Sequence, residues 1–289
     1  MKTLILGANG MLGSMTEKVL SKKMEMTVLS TSSHGNGASF SFNVLTDSID
    51  DLVSEVKPDY IVNAIGVIKP RIDEKDTHSV FEAVSINSAF PHLLNNVAEK
   101  YNAFVIQIAT DCVYSGKEGN YNENSLHDPL DVYGKSKSLG EVNSENFLNI
   151  RASIIGPEVG RSQSLLEWFK GQDESLRLKG FSNHMWNGVT TLQFAKVCAS
   201  LISEEAKIYG TFHFVPANMI SKYDLLQSLN KEYSGGTRDI ESVIVNPAVD
   251  RTLSTIFHET NKTLWSLAGY QNIPTVGEMV KELAQFSSE

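Results

Sequence analysis

Over the first half of the chain, short and almost continuously apolar runs alternate with amphipathic stretches. The runs at 4–6, 27–30, 60–63, 104–109 and 147–151 have strand length. Most lack the polar alternate positions of a sheet with one wet face, so they are expected to be covered on both faces. Between them, 11–21, 48–56, 79–101 and 132–146 carry apolar residues at helical spacing, most clearly Phe90, Leu93, Leu94 and Val97. Alternation of this kind predicts right-handed crossovers and an α/β fold built on a doubly wound parallel sheet.

After about residue 155 the pattern loosens. Helices are expected at 165–170, 192–202, 221–233 and 276–286, with Ser221 as N-cap of the third. Strands are expected at 211–215 and 242–245, and polar loops at 116–131 and 180–188. This mixture suits a cofactor domain over 1–155 and a smaller α/β substrate-binding region over 156–289, with about 185–215 returning to the first domain. No repeat, low-complexity tract or linker interrupts it.

Composition changes the picture in two places. Lys plus Arg number 25 and Asp plus Glu 34, a net charge of −9. That balance argues against a general nucleic-acid binder, and any anionic ligand must meet local cations. Lys137, Arg151, Arg161 and Arg251 are the candidates. Cys112 and Cys198 are not in a CxxC pair, which predicts reduced thiols and a cytoplasmic setting. The apolar run at 4–6 is too short for a secretory signal, and no stretch has the length of a membrane span. The Asn261-Lys262-Thr263 glycosylation match then reads as chance. None of the seven His residues makes an HExxH pair, so no metal is expected, and neither a GxSxG elbow nor a P-loop occurs. Trp168 and Trp265 are expected in the core, with Trp186 a candidate substrate contact. Met11, Met15, Met24 and Met26 read as packing residues.

The first strand runs into Gly7-Ala8-Asn9-Gly10-Met11-Leu12-Gly13 and then a helix. Gly7 permits a tight turn, Gly10 lets backbone approach a pyrophosphate, and Gly13 lets helix pack on strand. The helix start offers N–H groups and a positive dipole end to phosphates. This is a Rossmann-type dinucleotide turn in its confirming context. An acid at the end of the second strand would hold an NAD ribose; Ser30-Thr31-Ser32-Ser33-His34 has none. That favours NADPH, while the lack of an Arg leaves NADH use open.

The fourth strand ends in Ala109-Thr110-Asp111-Cys112-Val113-Tyr114, and Tyr133-Gly134-Lys135-Ser136-Lys137 opens a later helix. Tyr133 and Lys137 are four apart and share a face. A tyrosine is a reluctant acid at neutral pH, and a nearby ammonium is expected to lower its pKa. Thr110 can bond the same substrate oxygen. Tyr114 reads as a packing residue.

With these motifs the chain resembles the extended short-chain dehydrogenase/reductase family, in its dTDP-4-dehydrorhamnose reductase-like branch of nucleotide-sugar ketoreductases. The resemblance rests on the glycine turn, Asn63-Ala64-Ile65-Gly66, Asn87, the Thr110–Gly116 stretch and the Tyr133/Lys137 pair. It continues in Gly210-Thr211-Phe212-His213-Phe214, Ile220-Ser221-Lys222-Tyr223 and Asp250-Arg251-Thr252-Leu253-Ser254. Departures are Ala109 for the usual Ser, Asn43-Val44 for an Asp-Val pair, and Thr252 following Arg251. The resemblance implies NADPH-dependent reduction of a 4-keto-6-deoxy nucleotide sugar in deoxysugar or surface-polysaccharide biosynthesis. Tyr133 would be the general acid, Lys137 its activator and Thr110 the orienter of the carbonyl. It implies cofactor contacts from Gly7, Asn9, Gly10, Met11, Leu12, Gly13, Ser30, Thr31, Asn43, Val44, Ala64, Ile65, Gly66, Asn87, Tyr133 and Lys137. Substrate contacts are implied for Lys69, Asp111, Arg151, Trp186 and Arg251. A homodimer stays open. Two rival readings are an epimerase or dehydratase on the same scaffold and a nucleotide-binding regulatory subunit without turnover. Cys112 stands where related dehydratases carry an eliminating acid, and Thr110, Tyr133 and Lys137 together weigh against the regulatory reading.

Overall fold

The computed structural model describes residues 1–22, 26–33, 37–160 and 163–287. Met24, His34 and Arg161 lie outside the described residues. The strands are β1 (Lys2–Leu6), β2 (Thr27–Ser32), β3 (Phe40–Ser41), β4 (Tyr60–Asn63), β5 (Phe104–Ala109), β6 (Phe147–Arg151) and β7 (Ile154–Ile155). Then follow β8 (Leu178–Phe181), β9 (His184–Trp186), β10 (Val189–Thr190), β11 (Gly210–His213), β12 (Ile220–Ser221), β13 (Ile240–Val243) and β14 (Val249–Asp250). The helices are α1 (Met11–Leu20), α2 (Ile49–Val56), α3 (Thr77–Val84), α4 (Phe90–Tyr101), α5 (Val132–Leu139), α6 (Leu165–Lys170), α7 (Thr191–Ser203), α8 (Lys222–Ser234), α9 (His258–Leu267) and α10 (Val276–Ser287).

Seven parallel strands form the central sheet in the order β11-β6-β5-β4-β1-β2-β3. Side chains alternate across it. Ile5, Val62, Ile106, Leu148 and Ile150 face one core, with α1 and α7. Leu4, Leu6, Ile61, Val105 and Phe147 face the other, with α2 and α4. Burial on both faces explains why these strands read as unbroken apolar runs. The strand order reverses direction at β1, between β4 and β2, and in open α/β sheets ligands bind beyond the carboxyl ends of the strands at such a point. Among the described residues no helix is long and apolar enough to cross a membrane.

Several expectations need correction. The stretch 79–101 is two helices joined by a π-helical turn, Ser85–Ala89, which sets Asn87 inward. Leu93 is 51% exposed, so the buried face of α4 is Phe90, Leu94, Val97 and Ala98. Helix α5 stops at Leu139, seven residues before the expected end at 146. A Cβ on Gly140 would lie 1.9 Å from the Asn87 carbonyl oxygen, so chain meets chain there. Beyond it, Gln107 donates to the Gly140 carbonyl (2.8 Å) and Asn149 to the Val142 carbonyl (2.7 Å). Both belong to a buried amide ladder in which Asn63 also donates to Gln107 (2.7 Å) and Gln107 to Asn149 (3.1 Å). These amides take carbonyls that a longer helix would have paired internally. The stretch 180–188 is not one polar loop, since β8 pairs with β13 and β9 with β12 and β14. Trp168 is exposed at the surface of α6, whereas Trp265 is buried. The expected helix N-cap Ser221 forms a full capping box with Asp224. Helix α9 and the two-residue strands carried no periodic signal.

Candidate active site

The glycine turn joins β1 to α1 at the reversal point. Gly7 has φ +85°, and a Cβ on Gly13 would fall 2.1 Å from the Gly7 carbonyl oxygen. The Gly10 N–H donates to the Gly7 carbonyl (3.0 Å), and α1 begins there without a side-chain cap. The turn is tied to β2: Ala8 N–H donates to the Thr31 carbonyl (2.8 Å) and Gly7 N–H to Thr31 Oγ1 (3.3 Å).

A cavity of about 310 Å³ opens above it. Its walls are Asn9 to Leu12, Ala64 to Ile68, Ile108 to Cys112, Tyr133, Lys137 and Ala152 to Ile154, with Arg71, Glu158, Gln163 and Ser164 at its edge. A wider surface groove of about 600 Å³, lined by Glu99, Asn102, Phe104 and Lys207 among others, reaches only the start of β5 and includes none of these groups.

Thr110, Tyr133 and Lys137 meet on the cavity wall. Thr110 follows β5 directly and caps the 3-10 turn Asp111–Val113; its Oγ1 accepts from Cys112 N–H (3.1 Å) and its hydroxyl donates to Asp111 Oδ1 (3.2 Å). Tyr133 shares a side-chain hydrogen bond with Thr110. Helix α5 is pressed onto this turn, since a Cβ on Gly134 would sit 2.2 Å from the Cys112 carbonyl oxygen. Asp131 caps α5 through Gly134 N–H (2.8 Å). Lys137 is buried, and its Nζ donates to the Ile108 carbonyl (3.0 Å).

The electrostatics differ from the expectation in one respect. Burial, reinforced by Cys112 and Asp111 and opposed by Thr110, raises the Tyr133 pKa above its ordinary value. Desolvation governs this hydroxyl, while one N–H of the Lys137 ammonium is held by the Ile108 carbonyl. A raised pKa keeps the proton on Tyr133, as an acid requires, but transfer then depends on a charge that arrives with the reaction. Burial pushes Lys137 down to about 8, against the pull of Glu141. Burial also raises Asp111, with Arg251, Lys222 and Thr110 opposing, and pushes the Cys112 thiol up to about 12. Cys112 is therefore held as a thiol rather than a reactive thiolate at neutral pH.

Several residues expected at the site lie elsewhere. Arg151 is buried and lines neither of these cavities. Its Nε and Nη2 bond Glu141 (2.9 and 2.6 Å), its Nη1 bonds Tyr114 Oη (2.7 Å) and His213 Nε2 (2.6 Å), and its Nη2 also reaches His127 Nε2 (3.0 Å). All its donor groups are used internally, so Arg151 is not a substrate cation. Burial and then Arg151 push His213 down to about 4, which leaves it a neutral acceptor. Lys69 pairs with Asp131 at 2.7 Å and does not line the cavity. Ser30 and Thr31 are fully buried in β2. Asn43 closes its own turn, accepting from Leu45 N–H (3.0 Å), and with Val44 stays outside the cavity wall. Asn87 does not itself line the cavity. It clamps the Val67 backbone through both amide atoms (2.9 Å each) and bonds Ser136 (3.1 Å), fixing one wall to α5. Trp186 is buried, with its indole N–H on Ser153 Oγ (2.8 Å). Arg251 donates to the Tyr114 carbonyl (2.9 Å) and acts electrostatically on Asp111. Sequence reading missed Arg71 as a cavity cation; its only signal was its place in the run after Gly66. Among the described residues no cluster of His, Cys, Asp and Glu could hold a metal.

A family model described as RmlD substrate binding domain matches residues 1–251. The chain is 28% identical, over 233 residues, to a dTDP-4-dehydrorhamnose reductase of Aggregatibacter actinomycetemcomitans, covering 77% of this chain and 76% of the relative. It is 25% identical, over 236 residues, to methionine adenosyltransferase 2 subunit beta of Xenopus tropicalis, covering 78% and 70%. A solved dTDP-4-dehydrorhamnose reductase from Bacillus anthracis, in complex with NADP, superimposes with a TM-score of 0.78 at 17% identity, over 100% and 99% of the two chains. That last likeness concerns fold alone. The matched residues span the glycine turn, Thr110, Tyr133 and Lys137, and the chain belongs to the RmlD substrate-binding-domain family of extended short-chain dehydrogenase/reductases.

Proposed function

We propose that this protein is an NADPH-dependent reductase of a 4-keto-6-deoxy nucleotide sugar, serving deoxysugar or surface-polysaccharide synthesis in the cytoplasm. The carrying observation is the convergence of Thr110, Tyr133 and Lys137 on a cavity whose floor is a glycine turn at the sheet reversal. Residues 1–155 would hold the dinucleotide and 156–289 most of the substrate.

The chain fits the cofactor at three points. A Cβ on Gly10 would meet only the Gly7 carbonyl, so backbone is open to the cavity there. The start of α1 has no side-chain cap and is available to phosphate. Ser32, at the end of β2 where a ribose would lie, is 4% exposed with its Oγ unpartnered. When bound, the reduced nicotinamide would supply the hydride. Tyr133 would give its proton to the oxygen of the ketone, Thr110 would hold that oxygen, and the Lys137 ammonium would offset the charge left on Tyr133.

Assays with a panel of UDP-, dTDP- and GDP-linked 4-keto sugars should show NADPH-driven reduction of at least one, with NADPH used at least as well as NADH. Strict dependence on NADH would contradict the reading of β2. The pH profile is a second expectation. Lys137 is charged below about 8 and neutral above it, so kcat should decline as pH rises through about 8. A Lys137→Met variant should lose most of its turnover yet show no loss of thermal stability at pH 7. Its folded pKa lies below the ordinary 10.5, so the buried charge opposes folding below about 8 and is relieved between the two values.

The second reading is the regulatory one, favoured by the similarity to the methionine adenosyltransferase subunits. It predicts dinucleotide binding with no reduction of any ketone in the panel.

A further inference from the structure

A chain of net charge −9 must meet an anionic ligand with local cations. Among the described residues the cavity wall carries two, Lys137 and Arg71. Lys137 is buried, with its Nζ on the Ile108 carbonyl. Arg71 is exposed, and among the described residues no ion pair or side-chain hydrogen bond engages its guanidinium. The other candidate cations of the described residues are engaged: Lys69 by Asp131, Arg151 by Glu141 and Arg251 by the Tyr114 carbonyl. Glu158, an acid at the same cavity edge, accepts the backbone N–H groups of Gln163 and Ser164 (2.6 Å each).

The segment that carries Arg71 is fixed against the reacting end of the site. Val67 is clamped by Asn87. The 3-10 turn Lys69–Arg71 follows, closed by Arg71 N–H on the Ile68 carbonyl (2.9 Å) and stiffened by Pro70. Lys69 pairs with Asp131 at 2.7 Å, and Glu74 accepts Val132 N–H at 2.8 Å. Both anchors end within two residues of Tyr133. Arg71 lies between them in the chain, so it is held at the α5 side of the cavity. The dinucleotide already has an anion site, in the glycine turn and the uncapped start of α1. The second polyanion of the proposed reaction needs one of its own. We propose that Arg71 is the binding residue for the diphosphate of the nucleotide-sugar substrate: with the ketone at Tyr133, its guanidinium takes the phosphate oxygens at the cavity edge. A planar fork of N–H donors matches two such oxygens. The anchored backbone leaves only the side chain to be ordered when the ligand arrives.

The inference rests on the reductase reading, so its first readout is binding without turnover. Wild type, Arg71→Met and Arg71→Lys, each loaded with NADP⁺, are titrated calorimetrically with dTDP, UDP and GDP and with the corresponding nucleosides. Wild type should bind at least one diphosphate, and Arg71→Met should weaken that binding about 10- to 100-fold, as loss of a charge-assisted contact does. Arg71→Lys should recover part of it, because an ammonium keeps the charge and lacks the fork. Added salt should weaken diphosphate binding more in wild type than in Arg71→Met. NADPH affinity and nucleoside binding should not differ between the two. In turnover the loss should fall on KM for the sugar rather than on kcat. Equal diphosphate affinity in wild type and Arg71→Met, or no diphosphate bound by wild type, overturns the inference. An equal loss of NADPH affinity also overturns it, since Arg71 would then serve the dinucleotide. An Arg71-dependent diphosphate site in a protein that reduces no ketone overturns the reductase reading and leaves this assignment intact.

Discussion

Replacing Tyr133 with Phe is expected to lower kcat for ketone reduction by about 10³-fold, within the range that a positioned general acid contributes. The ring should stay in place. Helix α5, which carries Tyr133, is pressed onto the 3-10 turn at Gly134, and the substitution does not touch that packing. Only the hydroxyl and its bond to Thr110 disappear. Dinucleotide affinity should therefore be retained, because the glycine turn and Lys137 are unaltered. Measured kcat and a fluorescence titration with NADPH separate the two effects. Near-native turnover in Tyr133→Phe would show that another group supplies the proton.

The second large effect is on the scaffold. Gly13→Val should abolish dinucleotide binding and destabilise the protein by several kcal/mol, as forced overpacking against a fixed backbone does. The first atom of the new side chain would sit 2.1 Å from the Gly7 carbonyl oxygen and 2.9 Å from the Ala8 Cα. Those are backbone atoms of the turn, which is itself bonded to Thr31. Relief requires α1 to leave β1, and α1 packs against α7 across the same core. Gly277→Ala is the matched control: nothing lies within 4 Å of a Cβ there, on α10, and stability should hold or rise slightly. Thermal denaturation of both variants, with and without NADPH, measures the contrast.

How far the chain could be read as a sequence follows from the range of each interaction. Strands β1, β2, β4, β5 and β6 of the central sheet were legible because each is largely apolar over its own few residues, whereas β3 was not expected and β11 was read from alternation at 211–215. The glycine turn was legible because its constraints fall within seven consecutive positions. Tyr133 and Lys137 were legible as a pair because one helical turn joins them. Arg151 was not: it ends a strand like a cation aimed at a ligand, but Glu141, Tyr114, His127 and His213 close around it from separate segments. The early end of α5 was equally hidden, since Gln107 and Asn149 reach its exit from β5 and β6. Asn87 depends on a π-helical turn that no 3.6-residue period announces. The pKa of Tyr133 was misjudged for a related reason. Residue spacing places a lysine near a tyrosine, but the degree of desolvation depends on everything else that surrounds them.

The most direct measurement is transfer of the label. Wild-type protein is incubated with NADPH deuterated at the reactive nicotinamide position and with 4-keto nucleotide sugars, and the products are analysed by mass spectrometry and NMR. One deuterium should appear on C4 of a reduced sugar, with the signal lost in Tyr133→Phe. Saturable NADPH binding with no deuterium in any sugar of the panel would contradict the assignment of this site to ketone reduction.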